Sequence, residues 1–93
     1  MSVREDGVGV STRITTATTT VVKAKDGTLY RIIIGTTAAG AITLYDNASA
    51  ASGTVLGVLK SSIGEGSYAF GLYFRNGLVV VTAAASDITV VYE

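Results

Sequence analysis

Short runs of β-branched and aromatic residues recur along this chain of 93 residues. Turn-forming residues interrupt them about every 8 to 12 positions, a rhythm typical of an all-β sandwich or barrel. The chain is dense in Thr, Val, Ile, Tyr and Gly, which are poor helix formers. A chain of this length forms one domain. We therefore expect a single all-β domain of about seven or eight short antiparallel strands.

Two dipeptides predict β-hairpins. Asp26-Gly27 separates TTTVVKAK from TLYRIIIG, and Asn76-Gly77 separates SYAFGLYFR from LVVVTA. Both dipeptides suit a type I′ turn, in which the two central residues need positive φ. If the second loop has two residues, the strands on either side of it pair directly.

That second hairpin would align apolar side chains on one face of its two strands. Side chains alternate between faces with a period of two, and cross-strand neighbours share a face. We expect this face to belong to the core, with the residues Phe70, Leu72, Phe74, Val79 and Val81.

The stretch LYDNASAASGTVL, from Leu44 to Leu56, predicts a strand, a connection and a second strand. Asp46-Asn47 favours a turn because these side chains hydrogen-bond nearby backbone groups, and Gly53 is suited to positive φ. The small residues between them would allow close packing on a neighbouring subunit. A plain surface loop is the alternative interpretation.

The two ends of the chain carry different signals. ITVVYE predicts a terminal strand, and an early strand is expected within residues 12–24. Residues 1–11 contain Gly7 and Gly9 and predict a flexible arm, so we place the β-sandwich domain at 12–93. The arm either reaches a neighbouring subunit or is a tail without function.

A domain this small has a modest core, and many such domains are stabilised by disulfides, a metal ion or neighbouring chains. The chain has no cysteine and no histidine, and its seven acidic residues form no calcium-loop motif. Charged residues make up 15% of the chain and the formal net charge is zero. Ordinary soluble domains have about 25% charged residues, so this composition favours association.

Sheet edges give a second reason to expect partner chains. YRIIIG and LVVVTAAA combine high β-propensity with low charge, and such windows promote aggregation at an exposed edge. Proline and lysine commonly protect edges, but this chain has no proline and few lysines. We therefore expect other chains to cover its edges and faces.

Residues for catalysis are missing from the sequence. Without His or Cys, no Ser-His-Asp or Cys-His arrangement can form. Lys60 and Ser61 are adjacent, so on a strand they would point to opposite faces. GEGSYAFG lacks the lysine and the following helix of a phosphate-binding loop. We expect no enzyme activity, no catalytic residue, no cofactor and no metal site.

Nucleic acids and membranes are also unexpected partners. Lysine and arginine occur singly, without a basic stripe, and no uncharged run approaches the roughly 20 apolar residues of a membrane span. The five tyrosines would serve as a platform for a sugar if they clustered at the surface. Cross-strand packing or an interface is the simpler role for them.

Three segments resemble the small all-β structural proteins of tailed bacteriophages: TTTVVKAKDGTLYRIIIGT, AITLYDNASAASGTVL and YFRNGLVVVTAAASDITVVYE. The resemblance covers residues 12–93, and YDNASAASGT is its most distinctive part. It implies a capsid decoration, or cement, protein with a β-sandwich fold of jelly-roll type. Such proteins often sit as trimers on the outside of the capsid shell. The alternative is a receptor- or carbohydrate-binding module of a tail, baseplate or fibre.

This resemblance and the composition together predict the partners and the contact residues. The expected partners are further copies of the chain, as a homo-oligomer and most simply a trimer, and the major capsid protein. The expected location is the outer capsid surface of the virion, after synthesis in the host cytoplasm. The candidate interface residues come from the arm and from the small-residue loop: Val3, Arg4, Val8, Val10, Tyr45, Asn47, Ala48, Ala50 and Ala51.

Overall fold

The computed structural model describes residues 10–93, which form eight β-strands and no helix. In chain order they are β1 (Val10–Ile14), β2 (Thr18–Lys23), β3 (Gly27–Thr36), β4 (Ile42–Asp46), β5 (Thr54–Leu59), β6 (Gly66–Phe74), β7 (Leu78–Thr82) and β8 (Asp87–Tyr92). The first strand begins two residues before the predicted domain boundary, so Val10 and Ser11 belong to β1. The rest of the predicted arm lies outside the described residues.

The strands form two four-stranded antiparallel sheets. Sheet I has the order β1-β8-β3-β6, and sheet II has the order β2-β7-β4-β5. The pairs β1–β8, β2–β7, β3–β6 and β4–β5 are nested, as in one long antiparallel ribbon folded over on itself. This is the topology of a jelly roll. The expected single-domain, all-β sandwich is confirmed.

The core lies between the inner faces of the two sheets. Each strand contributes side chains at alternate positions, as the period of a pleated strand requires. Phe74 is the largest side chain that is fully buried. The core cluster consists of aliphatic residues and this one aromatic ring: Ile14, Leu29, Ile32, Ile34, Ile42, Leu44, Leu59, Phe74, Leu78, Val80, Ile88 and Val90.

Neither predicted hairpin forms. β2 and β3 lie in different sheets, as do β6 and β7, so both dipeptides link one sheet to the other. Among residues 10–93, positive φ occurs only at Ser62, Gly53, Gly66 and Gly71, which excludes type I′ turns at both dipeptides. Nested pairing is the physical reason, because β3 already pairs with β6 and β8, and β7 with β2 and β4.

The two glycines of those dipeptides are needed for close packing instead. A Cβ on Gly77 would lie 2.6 Å from the carbonyl oxygens of both Asn47 and Lys23. A Cβ on Gly27 would collide with the carbonyl oxygen of Glu93 and lie 2.9 Å from Cζ of Phe74. Only glycine lets the backbone approach so closely at these two crossings.

On β6, the predicted core face is confirmed. Phe74 is fully buried, and Phe70 packs against the core cluster. Leu72 is half-buried and pairs with the buried Leu29 of β3. The alternation along this strand was therefore read correctly from the sequence.

On β7, the prediction is correct for Val79, which is fully buried, but wrong for the face that packs between the two sheets. Leu78 and Val80 belong to the core cluster, so Val79 and Val81 lie on the outer side of sheet II. The prediction depended on pairing β7 with β6 through a hairpin that does not exist. A shift of one residue turns every side chain of a strand to the opposite face.

The two aggregation-prone windows are not at sheet edges. YRIIIG lies in β3, between β8 and β6, and LVVVTAAA begins in β7, between β2 and β4. The strand residues of both windows are therefore paired on either side within the chain, and residues 83–85 of the second window follow β7. The edge strands of the described sheets are β1 and β6 in sheet I, and β2 and β5 in sheet II.

Candidate assembly surface

The outer face of sheet II carries two rows of apolar and threonine side chains. Strand register places Val21, Val79, Tyr45 and Val55 in the first row. It places Thr19, Val81, Thr43 and Val58 in the second row. These eight residues, here named the outer valine face, include no charged side chain.

The outer valine face has a buried centre and an exposed rim. Val79 is fully buried, although it is not part of the core cluster between the sheets. Val55 and Val58, on the edge strand β5, are 49% and 58% exposed, and Val21 on the other edge strand is 43% exposed. The exposed valines therefore lie on the two edge strands β2 and β5, and the side chains between them are buried or half-buried. Exposed apolar side chains grouped on one face of a small domain are typical of an interaction site.

The outer face of sheet I is polar by comparison. The guanidinium of Arg13 donates two hydrogen bonds to the carboxylate of Asp87, at 2.9 and 2.7 Å. These hydrogen bonds lower the pKa of Asp87 below its ordinary value of 3.8. Arg31 lies near Ser67, with 3.4 Å between its Nη1 and the serine Oγ. The two broad faces of the sandwich therefore differ in character.

The loop 47–53 borders the outer valine face, because it joins Tyr45 and Asp46 of β4 to Thr54 and Val55 of β5. Asn47 Oδ1 accepts hydrogen bonds from the backbone N–H groups of Ser49 and Ala50, at 2.9 and 3.0 Å. Asn47 Nδ2 donates to the carbonyl oxygen of Ser52 at 3.1 Å. Gly53 has a φ of 89°. The predicted strand, turn and strand are confirmed, and the loop is held by its own side chain.

Asp46 fixes the neighbouring crossing between the sheets. Its carboxylate accepts hydrogen bonds from the backbone N–H groups of Arg75 at 3.0 Å, Asn76 at 2.8 Å and Gly77 at 3.4 Å. Three successive N–H groups directed at one anion form a backbone nest. The carboxylate therefore holds the end of β4 against the linker between β6 and β7.

The pKa of Asp46 reflects this arrangement. Partial burial raises the pKa, but the three backbone hydrogen bonds and the positive charge of Arg75 outweigh that effect. The net result is a pKa below the ordinary value of 3.8. The carboxylate is therefore ionised over the whole range in which most proteins are studied.

The predicted interface residues of the loop separate into two groups. Ala50 and Ala51 are exposed, and Tyr45 is half-buried on the outer valine face. Asn47 instead serves the internal hydrogen bonds of the loop, and Ala48 is half-buried beside Gly77. These last two side chains are therefore occupied within the chain.

The predicted interface residues of the arm are mostly not described. Val10 is 41% exposed on the edge strand β1, on sheet I, away from the outer valine face. The remaining three lie outside the described residues: Val3, Arg4 and Val8. The structure therefore does not bring the arm residue Val10 and the loop residues into one surface.

Most of the outer valine face was not predicted from the sequence. The sequence pattern places Val79 and Val81 in the core and assigns no role to the valines of β2 and β5. Alternation within one strand shows two faces but does not tell which faces inward. Only the pairing register across four strands brings these residues together.

The five tyrosines do not form an exposed cluster, because Tyr73 alone among them is mainly exposed. Tyr30 donates to Glu93 at 2.6 Å, and Tyr73 donates to Asp26 at 3.1 Å. The Tyr73 bond to the Asp26 carboxylate raises the pKa of the Tyr73 phenol above 10.0. These hydroxyl groups are used to connect parts of the chain.

Within residues 10–93, no three acidic side chains form a group that could hold a metal ion. The same residues contain no helix with the length and apolar character needed to cross a membrane. Comparison with known proteins found no family model, no curated protein and no solved structure that matches this chain.

Proposed function

We propose that this protein is a homo-oligomeric structural protein of a tailed-phage virion, which attaches to the outer capsid surface and stabilises the shell without catalysing a reaction. The observation that carries the proposal is the outer valine face, an uncharged, valine-rich surface on one side of the sandwich. The sequence resemblance of residues 12–93 to phage structural proteins supports the same role.

The proposed mechanism depends on many weak contacts. A chain of this size has only a modest apolar area to bury in each contact. Attachment through several linked copies raises the effective affinity without any new contact, because the second binding event becomes intramolecular. An oligomer can therefore join neighbouring capsid subunits that one copy would hold only transiently.

Rigidity of the assembly surface supports this mechanism. The Asn47 network orders the loop, and the Asp46 carboxylate fixes the adjacent linker before any partner binds. A surface that is already ordered loses less conformational entropy on binding. The chain therefore presents a preorganised block, as repeated attachment to a lattice requires.

A receptor- or carbohydrate-binding module of a tail or fibre is the alternative function. Sugar sites use exposed aromatic rings with polar groups around them, and Tyr73 is the one tyrosine whose ring is mainly exposed. Its hydroxyl already bonds Asp26. We therefore favour the capsid role, and specific binding of a glycan in an array would reverse that preference.

Co-sedimentation with capsids tests the proposal. Purified protein is mixed with shells of the major capsid protein from the same phage, and attachment and heat resistance of the shells are measured. The test variant is Val55→Glu/Val58→Glu, which places charge on the exposed rim of the outer valine face. The matched control is Ala69→Glu, an exposed outward position on edge strand β6 of the opposite sheet.

The test variant and the control should behave differently. We expect wild type and Ala69→Glu to co-sediment and to raise the heat resistance of the shells, and the double variant to do neither. Absence of wild-type protein from the capsid pellet, with no gain in heat resistance, would reject the proposed function.

A further inference from the structure

We propose that a second copy of this chain covers the outer valine face, so that two sandwiches pack sheet II against sheet II about a two-fold axis. This inference deepens the proposed function, because it names the partner of the same surface. Its occupant is another copy of this chain, so charge on this face would weaken capsid attachment by separating the linked copies.

The first reason is that the outer valine face is compatible with itself. Its eight residues carry no charge, so pairing with an identical surface brings no like charges together. The opposite face carries the charged side chains of Arg13, Asp87 and Arg31, and covering them with a second copy would cost desolvation energy. A two-fold dimer uses the same self-complementary patch on both subunits, so one such patch is sufficient.

The second reason is that residues 10–93 show one apolar patch of this extent. The other large apolar side chains with substantial exposure are Val10, Ile33 and Tyr73, each on a different strand of sheet I. A cyclic trimer joins two different surfaces of each copy. The described residues offer no second apolar surface for that arrangement, so a two-fold dimer is favoured over the trimer that the resemblance implies.

The third reason is the available area. The described residues form a slab with extents of 37 × 30 × 18 Å. In a sandwich of two sheets about 10 Å apart, the short axis runs across the sheets and the broad faces are their outer sides. A stable interface takes about 800 Å² from each partner. The extents of 37 by 30 Å set the upper limit of what one broad face can bury, and this limit exceeds that requirement.

The strands alone do not supply this area. Four strands about 4.8 Å apart and five to six residues long cover roughly 350 Å² in projection. The bordering loop 47–53 therefore has to contribute, and its exposed residues Ala50 and Ala51 are small enough to allow close approach. The expected interface is the outer valine face together with this loop.

The first experiment measures the oligomeric state of the full chain by sedimentation equilibrium and by size-exclusion chromatography with light scattering. We expect a dimer for wild type and for Ala69→Glu. Val55→Glu/Val58→Glu would bring carboxylates together in an apolar contact, so its dimer dissociation constant should rise at least about 100-fold. Circular dichroism and thermal unfolding of each protein check that the monomer fold is unchanged.

The second experiment uses the absence of natural cysteine. Single cysteines are introduced at Thr43, Val55 and Val58, and the matched control is Ala69→Cys. A residue close to a two-fold axis meets its own copy, so at least one position on the outer valine face should form a disulfide-linked dimer under mild oxidation. Ala69→Cys should remain largely monomeric under the same conditions.

Three outcomes would overturn the inference: a wild-type monomer from micromolar to millimolar concentration, a trimer, or equal cross-linking at Ala69→Cys and on the outer valine face. The experiments distinguish a failure of this inference from a failure of the proposed function. A wild-type dimer that does not bind capsids rejects the function alone. A wild-type monomer that binds capsids, with binding lost in Val55→Glu/Val58→Glu, rejects the inference and identifies the capsid as the occupant of this face.

Discussion

Asp46 accepts a hydrogen bond of 2.8 Å from the backbone N–H of Asn76, a residue 30 positions away in the sequence. The same carboxylate also accepts from Arg75 and Gly77. One side chain at the end of β4 thus holds the linker by which the chain crosses from sheet I to sheet II. Asp46 therefore stabilises the sandwich, and it also fixes the start of the loop 47–53 that borders the outer valine face.

Asp46→Asn should destabilise the fold. The amide keeps one acceptor oxygen, but its NH₂ group would face backbone N–H donors that it cannot bind. Loss of hydrogen bonds to a charged group predicts a decrease of about 1–2 kcal/mol in the free energy of unfolding, measured by urea denaturation. Asp26→Asn is the control and should change little, because the exposed Asp26 accepts a single side-chain hydrogen bond within residues 10–93, from Tyr73. Equal unfolding midpoints for wild type and Asp46→Asn would contradict this role.

The stability that Asp46 provides should depend on pH. Its pKa in the folded chain is lowered below 3.8. A lowered pKa contributes stability above the unfolded-state pKa, near 3.9, and this stability is lost as the pH falls through the folded-state value. The difference in unfolding free energy between wild type and Asp46→Asn should therefore shrink below about pH 4. Asp87 is present in both proteins and cancels in the comparison. A difference that stays constant or grows in acid would exclude the carboxylate as its source.

The strand segments could be predicted from the sequence because they depend on local composition, whereas the pairing could not. Asp26-Gly27 and Asn76-Gly77 carry strong hairpin signals, yet both dipeptides join strands of different sheets. A turn-forming dipeptide indicates only that the chain turns at that point, and it does not determine which strands pair. The partner of a strand is decided by the whole ribbon, in which β1 pairs with β8 across almost the entire chain.

Gly77→Ala tests the role that the structure gives to the second of these glycines. The added methyl group would lie 2.6 Å from two backbone carbonyl oxygens, and backbone atoms cannot turn aside as a flexible side chain can. Overpacking of this kind predicts a loss of at least about 2 kcal/mol in unfolding free energy, measured in urea. Gly64→Ala is the matched control, because its methyl group would meet only the Tyr68 hydroxyl, at 3.5 Å. If both variants lose the same stability, close approach at Gly77 is not the cause.

The candidate surface was even less accessible to sequence reasoning than the pairing. The loop and the positive φ of Gly53 followed from residue types, and both are confirmed. The outer valine face required the correct side of β7, and Val79 and Val80 are equally apolar and equally buried. The windows YRIIIG and LVVVTAAA predict partner chains if they lie at sheet edges, but the strands that contain them, β3 and β7, are internal. The proposal of self-association now depends on a sheet face and no longer on those two windows.

Ser62→Gly should stabilise the chain. Ser62 lies in the turn between β5 and β6 and has a φ of 58°, the one positive value at a non-glycine residue in the described chain. Its backbone N–H donates to the carbonyl oxygen of Ala38 at 3.0 Å, and glycine keeps that bond. The left-handed conformation costs an L-residue roughly 1–2 kcal/mol, and glycine loses roughly 0.5–1 kcal/mol more backbone entropy on folding. The net gain should be about 0.5–1 kcal/mol, seen as a higher unfolding temperature.

Ser61→Gly, at the adjacent position without positive φ, should lower that temperature. A Ser62→Gly protein that melts below wild type would show that the serine side chain stabilises this turn by more than its backbone strain costs.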